Sequence, residues 1–274
     1  MSAPAPIPPV TVGVFDSGVG GLSVLRELQR QLPLAHLVYV ADSGHAPYGE
    51  RSTGYVIERS THIARFLLQR GARVLVVACN TATAAAAQVL RDAYPDTPIV
   101  GVEPGLKPAV ALTRNRRIGV LATEGTLASA KFQALLARLR ERAAFHLQPC
   151  PGLAHAIESG NPEAPEVLAL VERYCAPLRA HDVDTVVLGC THYPFVAAAI
   201  QRAMGPQVQL VDTAQAVARH TVTQAQKMLD SLPAVPEPAA RPRHVEAHTS
   251  GAVDHLARIT ARWLDFPVQV QAWA

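Results

Sequence analysis

LVVACNT at 75–81 and VVLGCTH at 186–192 read almost alike. Each is a run of aliphatic residues, a small residue, a cysteine, and a threonine one or two places on. The cysteines, Cys79 and Cys190, stand 111 residues apart, and a second echo has nearly that offset: GVFDSG begins at Gly13 and GVLATEG at Gly119. Matching offsets imply two halves of similar build, each delivering one thiol from the end of an equivalent strand.

Outward from these segments, short β-branched runs alternate with helical patterns. Strands are expected at 10–15, 36–40, 73–78, 98–102, 117–121, 145–149, 184–189, 207–211, 244–248 and 267–271. Helices are expected at 21–32, 52–70, 80–93, 126–142, 164–180, 194–204, 213–230 and 251–264. This alternation predicts an α/β fold, two similar domains with mostly parallel sheets flanked by helices. VLVVA and TVVLG are apolar on both faces, as covered parallel strands must be. Ligands of such sheets bind beyond the carboxyl ends of the strands, where Asp16, Cys79 and Cys190 all fall, so the active site is expected in the cleft between the domains.

Composition narrows the class. The 274 residues are 49% hydrophobic and 17% charged, which fits a protein with a substantial core. The net charge of +3 gives no nucleic-acid footprint, and the dense spots at Arg114, Arg116 and Arg117 and at Arg138, Arg140 and Arg142 read as solvated helix ends. No apolar run approaches the ~20 residues of a membrane span. MSAPAPIPP lacks the basic start and apolar stretch of a secretory signal and reads, through residue 10, as a disordered tail. The four cysteines show no C-x-x-C spacing, so no zinc or other metal site is expected. Free thiols in a chain without a signal fit a reducing cytoplasm.

Five features bear on chemistry. Two thiols at equivalent strand ends can face opposite sides of one carbon, removing a proton from one face and delivering it to the other. The start of a helix after each thiol favours thiolate. In DSGVGGL (16–22) the glycines permit a tight strand-to-helix turn, with Asp16 and Ser17 facing the cleft. ADSGHAPYGERS (41–52) exposes N–H groups of Tyr48 and Gly49 that can hold a carboxylate. His192, two residues after Cys190, can shuttle the thiol proton. Glu158, in GLAHAIESG, is a helix-end carboxylate. Cys150 reads as a strand-end core residue, Cys175 as helix packing, and the proline-rich stretch 232–243 as a surface loop.

DSGVGGL, PYGERS, ACNTATA, GVEPGLKPA, ATEGTLAS and LGCTHYPF together resemble glutamate racemase, of the aspartate/glutamate racemase family, in order from about residue 11 to about 213. Aspartate racemases typically carry Glu where this chain has His192, so glutamate is the better substrate assignment. The resemblance implies one domain from 11–101 with 212–274 and another from 102–211. It implies cofactor-independent racemisation of glutamate by two bases, for peptidoglycan synthesis, with Cys79 serving D-glutamate and Cys190 L-glutamate. Asp16 would assist at the first thiol, and His192 and Glu158 at the second. Substrate would be held by Asp16, Ser17, Pro47, Tyr48, Gly49, Asn80, Thr81, Thr191 and His192. A homodimer is also implied. Some members are reported to bind DNA gyrase, a contact this sequence does not indicate. Phe132 departs from the family, which usually has Tyr there.

Overall fold

The computed structural model describes residues 10–159, 161–231 and 245–273. β1 (Thr11–Asp16), α1 (Leu22–Gln31), β2 (His36–Ala41), α2 (Thr53–Gln69), β3 (Val74–Val77), α3 (Asn80–Ala93) and β4 (Ile99–Gly101) come first. There follow α4 (Leu106–Leu112), β5 (Arg117–Ala122), α5 (Glu124–Ala128), α6 (Ala130–Leu139), β6 (Ala144–Pro149), α7 (Leu153–Glu158), α8 (Pro165–Ala180), β7 (Thr185–Gly189), α9 (Ala197–Met204) and β8 (Gln209–Val211). The chain then returns through α10 (Ala214–Asp230), β9 (Val245–Thr249), α11 (Val253–Trp263) and β10 (Gln269–Ala272).

Two sheets result, ordered β10-β9-β2-β1-β3-β4 and β6-β5-β7-β8, and every pairing in both is parallel. Parallel strands need both faces covered, and they are. On one face of the larger sheet Val12, Val14, Val74 and Val76 meet α1, α10 and α11; on the other Phe15, Leu75 and Val77 meet α2 and α3. The smaller sheet packs Val186 and Leu188 on α7, α8 and α9, and Ile118, Val120 and Val187 on α4 and α6.

The repeat seen in the sequence is a repeat of register. Phe15 lies opposite Val77 in the larger sheet and Leu121 opposite Leu188 in the smaller. These pairs occupy equivalent positions: Phe15 and Leu121 are each two residues past the glycine of their echo, and Val77 and Leu188 each two residues before a cysteine. The order β2-β1-β3-β4 thus maps onto β6-β5-β7-β8.

All ten expected strands form, with ends within two residues of the expectation. The helix expected over 126–142 is instead α5 and α6. Ser129 sits between them with ψ at 139°, and its side chain caps α6 by accepting from the Phe132 N–H, so the helix cannot run through. The stretch 194–204 opens as a 3-10 turn at Tyr193–Val196 before α9 begins. α4, α7 and the 3-10 turns at Ser43–His45 and Tyr48–Glu50 were not expected; each is too short to show a period. Val10, assigned to the tail, is buried, and its carbonyl accepts from the His36 N–H. Residues 1–9 and the stretch 232–243 lie outside the described residues.

Candidate active site

Cys79 leaves the end of β3 with φ −135° and ψ 126° and becomes the N-cap of α3, its Sγ accepting from the Ala82 N–H at 3.4 Å. Its other neighbour is Ser17 Oγ, at 3.9 Å. The helix start was expected to favour thiolate here. Burial instead pushes the Cys79 thiol well above its usual value, and the nearby Asp16 adds to this; the Ala82 N–H acts the other way and loses. Cys79 therefore rests as a thiol.

Cys190 differs. No α-helix starts directly after it; a turn and the 3-10 segment intervene, and its Sγ meets His192 Nδ1 at 3.6 Å. His192 Nε2 reaches Glu158 Oε1 at 2.5 Å. Burial pulls the His192 imidazole down, but Cys190 and Glu158 on its two nitrogens outweigh it and hold the ring well above its ordinary value. An imidazolium thus sits between a sulfur and a carboxylate, able to pass a proton either way.

The glycines of DSGVGGL lie in the expected tight turn between β1 and α1, and they serve a further purpose. None of Gly18, Gly20 and Gly21 has positive φ; among the described glycines only Gly71, Gly152 and Gly205 do. Gly18 and Gly20 are bare because residues from the other sheet press against them, and Gly21 because Asp16 and Tyr39 of its own sheet do. A Cβ on Gly18 would lie 1.9 Å from Glu158 Oε1, and one on Gly20 would lie 2.4 Å from His192 Nδ1. Through this contact the Val19 N–H donates to Glu158 Oε1 at 2.8 Å.

Asp16 is fully buried and was expected to face the cleft. Its carboxylate is instead taken up by neighbours: Oδ1 accepts from Ser17 N–H at 2.5 Å and Oγ at 3.0 Å, and Oδ2 accepts from Thr191 Oγ1 at 2.9 Å. Burial raises its pKa. It fixes the orientation of two hydroxyls that do face the cleft.

One cavity, about 340 Å³ including space open to solvent, is lined by eleven of the twelve residues singled out from the sequence: Ser17, Pro47, Tyr48, Gly49, Cys79, Asn80, Thr81, Glu158, Cys190, Thr191 and His192. Asp16 alone stands behind the wall. The two thiols thus enter one small cavity from the two sheets. Tyr48 and Gly49 open a 3-10 turn, where the first N–H groups lack intrahelical partners. The turn rests on Asp42, whose carboxylate accepts from Tyr48, Arg59 and Ser250.

Thr123 was missed. It lines the cavity and bonds Thr81 Oγ1 at 3.2 Å. The repeat could have found it, because the offset that pairs Gly13 with Gly119 pairs Ser17 with Thr123. Ala46 and Ala154, also in the wall, carry no sequence signal. Cys150 and Cys175 are buried in the core beside α8, and burial pushes the Cys175 thiol up to about 12. Phe132 is buried on α6 against the smaller sheet. Among the described residues no His, Cys, Asp and Glu cluster suits a metal ion, and no helix is long and apolar enough to cross a membrane. A second cavity, lined in part by Arg91, Glu103, Lys107, Lys131 and His220, shares no residue with the first.

Residues 12–221 match the family described as Asp/Glu/hydantoin racemase. The glutamate racemase of Pseudomonas aeruginosa strain PAO1 is 55% identical over 208 residues, covering 76% of this chain and 78% of the relative. The crystal structure of glutamate racemase isoform RacE1 from Bacillus anthracis superposes with a TM-score of 0.83 at 33% identity, covering 97% of both chains. That of Escherichia coli glutamate racemase, in complex with L-glutamate and the activator UDP-MurNAc-ala, also scores 0.83, at 32% identity over 97% of this chain and 99% of that one.

Proposed function

The chain belongs to the Asp/Glu/hydantoin racemase family, and we infer that it interconverts L- and D-glutamate by two-base 1,1-proton transfer. The observation that carries this reading is the pair of thiols, Cys79 and Cys190, meeting in one cavity from equivalent ends of two related sheets.

In the L-to-D direction the Cys190 sulfur takes the α-proton. The Cα–H bond breaks, an S–H bond forms, and the electron pair stays on the carbon. Cys79, protonated at rest, then delivers its proton to the opposite face and is left as thiolate. In the D-to-L direction the roles exchange. His192, backed by Glu158, moves the proton on and off Cys190, while Asp16 sets the field at Cys79 and aims Ser17 and Thr191. Ser17, Asn80, Thr81, Thr191 and the N–H groups of Tyr48 and Gly49 hold the carboxylates and ammonium while charge develops on the carbon. Domain closure keeps water from the carbanion.

The reaction runs without a cofactor. A pyridoxal Schiff base needs a lysine at the reacting carbon, and none of Lys107, Lys131 and Lys227 lines this cavity. We assign 11–101 with 212–274 to one domain and 102–211 to the other, because the chain leaves the larger sheet after β4 and returns to it after β8. The protein acts in the cytoplasm as a homodimer, supplying D-glutamate for peptidoglycan.

The test is racemisation of D-glutamate in D₂O by metal-stripped, pyridoxal-phosphate-free protein, following circular dichroism and α-deuterium together, with aspartate as the parallel substrate. Loss of optical activity with deuterium at Cα is the expected result. Silence on glutamate with folded, reduced protein overturns the assignment.

A further inference from the structure

The acid–base chain on the Cys190 side ends at Glu158, the last residue of the six-residue helix α7. Carbonyls at a helix end have no intrahelical donor. That of Glu158 accepts from His255 Nε2 at 2.7 Å. His255 lies on α11, which packs on the larger sheet, whereas α7 packs on the smaller. Glu158 Oε1 likewise takes a bond from the larger sheet's side, the Val19 N–H, besides His192. A second contact ties α11 to the 3-10 turn that follows Cys190. Trp263, at its last position, stacks on Phe195, three residues after His192, with ring centroids 3.8 Å apart and an interplanar angle of 17°. α11 thus grips the Cys190 chain at both ends, at Glu158 and just past His192.

We propose that His255 is a positioning residue for the Cys190 half of the reaction: it pins the end of α7 to α11, so that the Glu158 carboxylate stays on His192 only while the two sheets are docked. The proposal rests on the two-thiol reading above. His255 touches no reacting atom. Its loss frees the last turn of α7, lets the carboxylate wander, and slows proton transfer at Cys190 while leaving Cys79 untouched.

L- and D-glutamate are equal in free energy, so kcat/KM must fall equally in both directions, and rate constants alone cannot locate the damage. Isotope effects can. In His255→Ala, kcat/KM drops about tenfold, the cost of one lost hydrogen bond to a group that must be held still. The primary deuterium effect on [2-²H]-L-glutamate, whose Cα–H is cleaved by Cys190, rises. That on [2-²H]-D-glutamate, cleaved by Cys79, falls toward the equilibrium effect for transfer from carbon to sulfur. His255→Gln, which keeps a donor, restores the wild-type pattern. If His255→Ala does not fold, His255→Phe, which fills the space without donating to the carbonyl, takes its place in the comparison.

Unchanged isotope effects in the donor-less variant overturn the proposal, as does an equal change in both directions. The wild-type protein separates the two readings. If it does not racemise glutamate, the two-thiol assignment fails; if it does and the variant keeps the wild-type pattern, only the role of His255 fails.

Discussion

Gly18 and Glu158 meet across the cleft so closely that a Cβ on Gly18 would lie 1.9 Å from Glu158 Oε1. An alanine there must displace the carboxylate, which the Val19 N–H and His192 hold in place. Gly18→Ala forces it away from both. The expected outcome is a folded protein whose kcat falls on the order of 10²-fold, the low end of what a positioned acid–base group contributes. Steady-state kinetics beside a thermal melt checks this, and full activity would show that Glu158 does not support the Cys190 side.

Each thiol serves one face of the carbon, so removing either leaves racemisation without an acid or a base. Cys79→Ser and Cys190→Ser are each expected to lower turnover by at least about 10³-fold. Cys150→Ser, in the core beside α8, should retain near wild-type rates because Cys150 does not line the cavity that holds the two reacting thiols. Polarimetry on the three purified variants decides the matter; wild-type turnover by Cys79→Ser or Cys190→Ser would sink the two-thiol scheme.

What the sequence could and could not reveal follows from range. The strands and the two cysteine contexts were legible because apolar runs and echoes are local in the chain. The helix expected over 126–142 failed because the Ser129 cap interrupts a segment whose apolar spacing carries on past it. The turn at DSGVGGL was legible, but the crowding at Gly18 and Gly20 was not, for a different reason. Gly18 and Gly20 admit Glu158 and His192, more than a hundred residues away, and no local pattern reports a cross-cleft approach. Asp16 was expected to face the cleft but lies buried behind its wall, because its partner Thr191 is equally remote in sequence.

His192 carries a pH signature. Burial opposes its protonation, but Cys190 and Glu158 win, so the imidazolium persists above the usual histidine range and is lost only as pH rises through that raised value. The Cys190 half-reaction should therefore hold its rate past neutrality and decline on the alkaline side. Glu158→Gln removes the anion from Nε2, so the alkaline limb should move to lower pH. Profiles of kcat/KM for wild type and variant test this, and coincident limbs would remove Glu158 as the group that keeps the ring charged.

The turn bearing Pro47, Tyr48 and Gly49 depends on Asp42. The carboxylate is fully buried, and its bidentate ion pair with Arg59 (2.8 and 3.0 Å) is joined by bonds from Tyr48 and Ser250. Burial alone would raise its pKa, but these three partners prevail and lower it. A carboxyl whose folded pKa lies below its unfolded value stabilises the fold above the unfolded value, near 3.9, and loses that stabilisation as pH falls toward the folded one. Asp42→Asn leaves Arg59 without its anion and should cost about 3 kcal/mol at pH 7, which for a chain of this size is a fall in melting temperature of roughly 5–10 °C. The gap between wild type and variant should narrow below pH 4, where the carboxyl of the unfolded wild-type chain takes up its proton while the folded one does not yet. Melts by circular dichroism from pH 3 to pH 7 read both effects, and a gap independent of pH would mean that Asp42 acts through shape rather than charge. KM for glutamate should rise in the same variant, because the turn of Tyr48 and Gly49, which lines the cavity, loses its support.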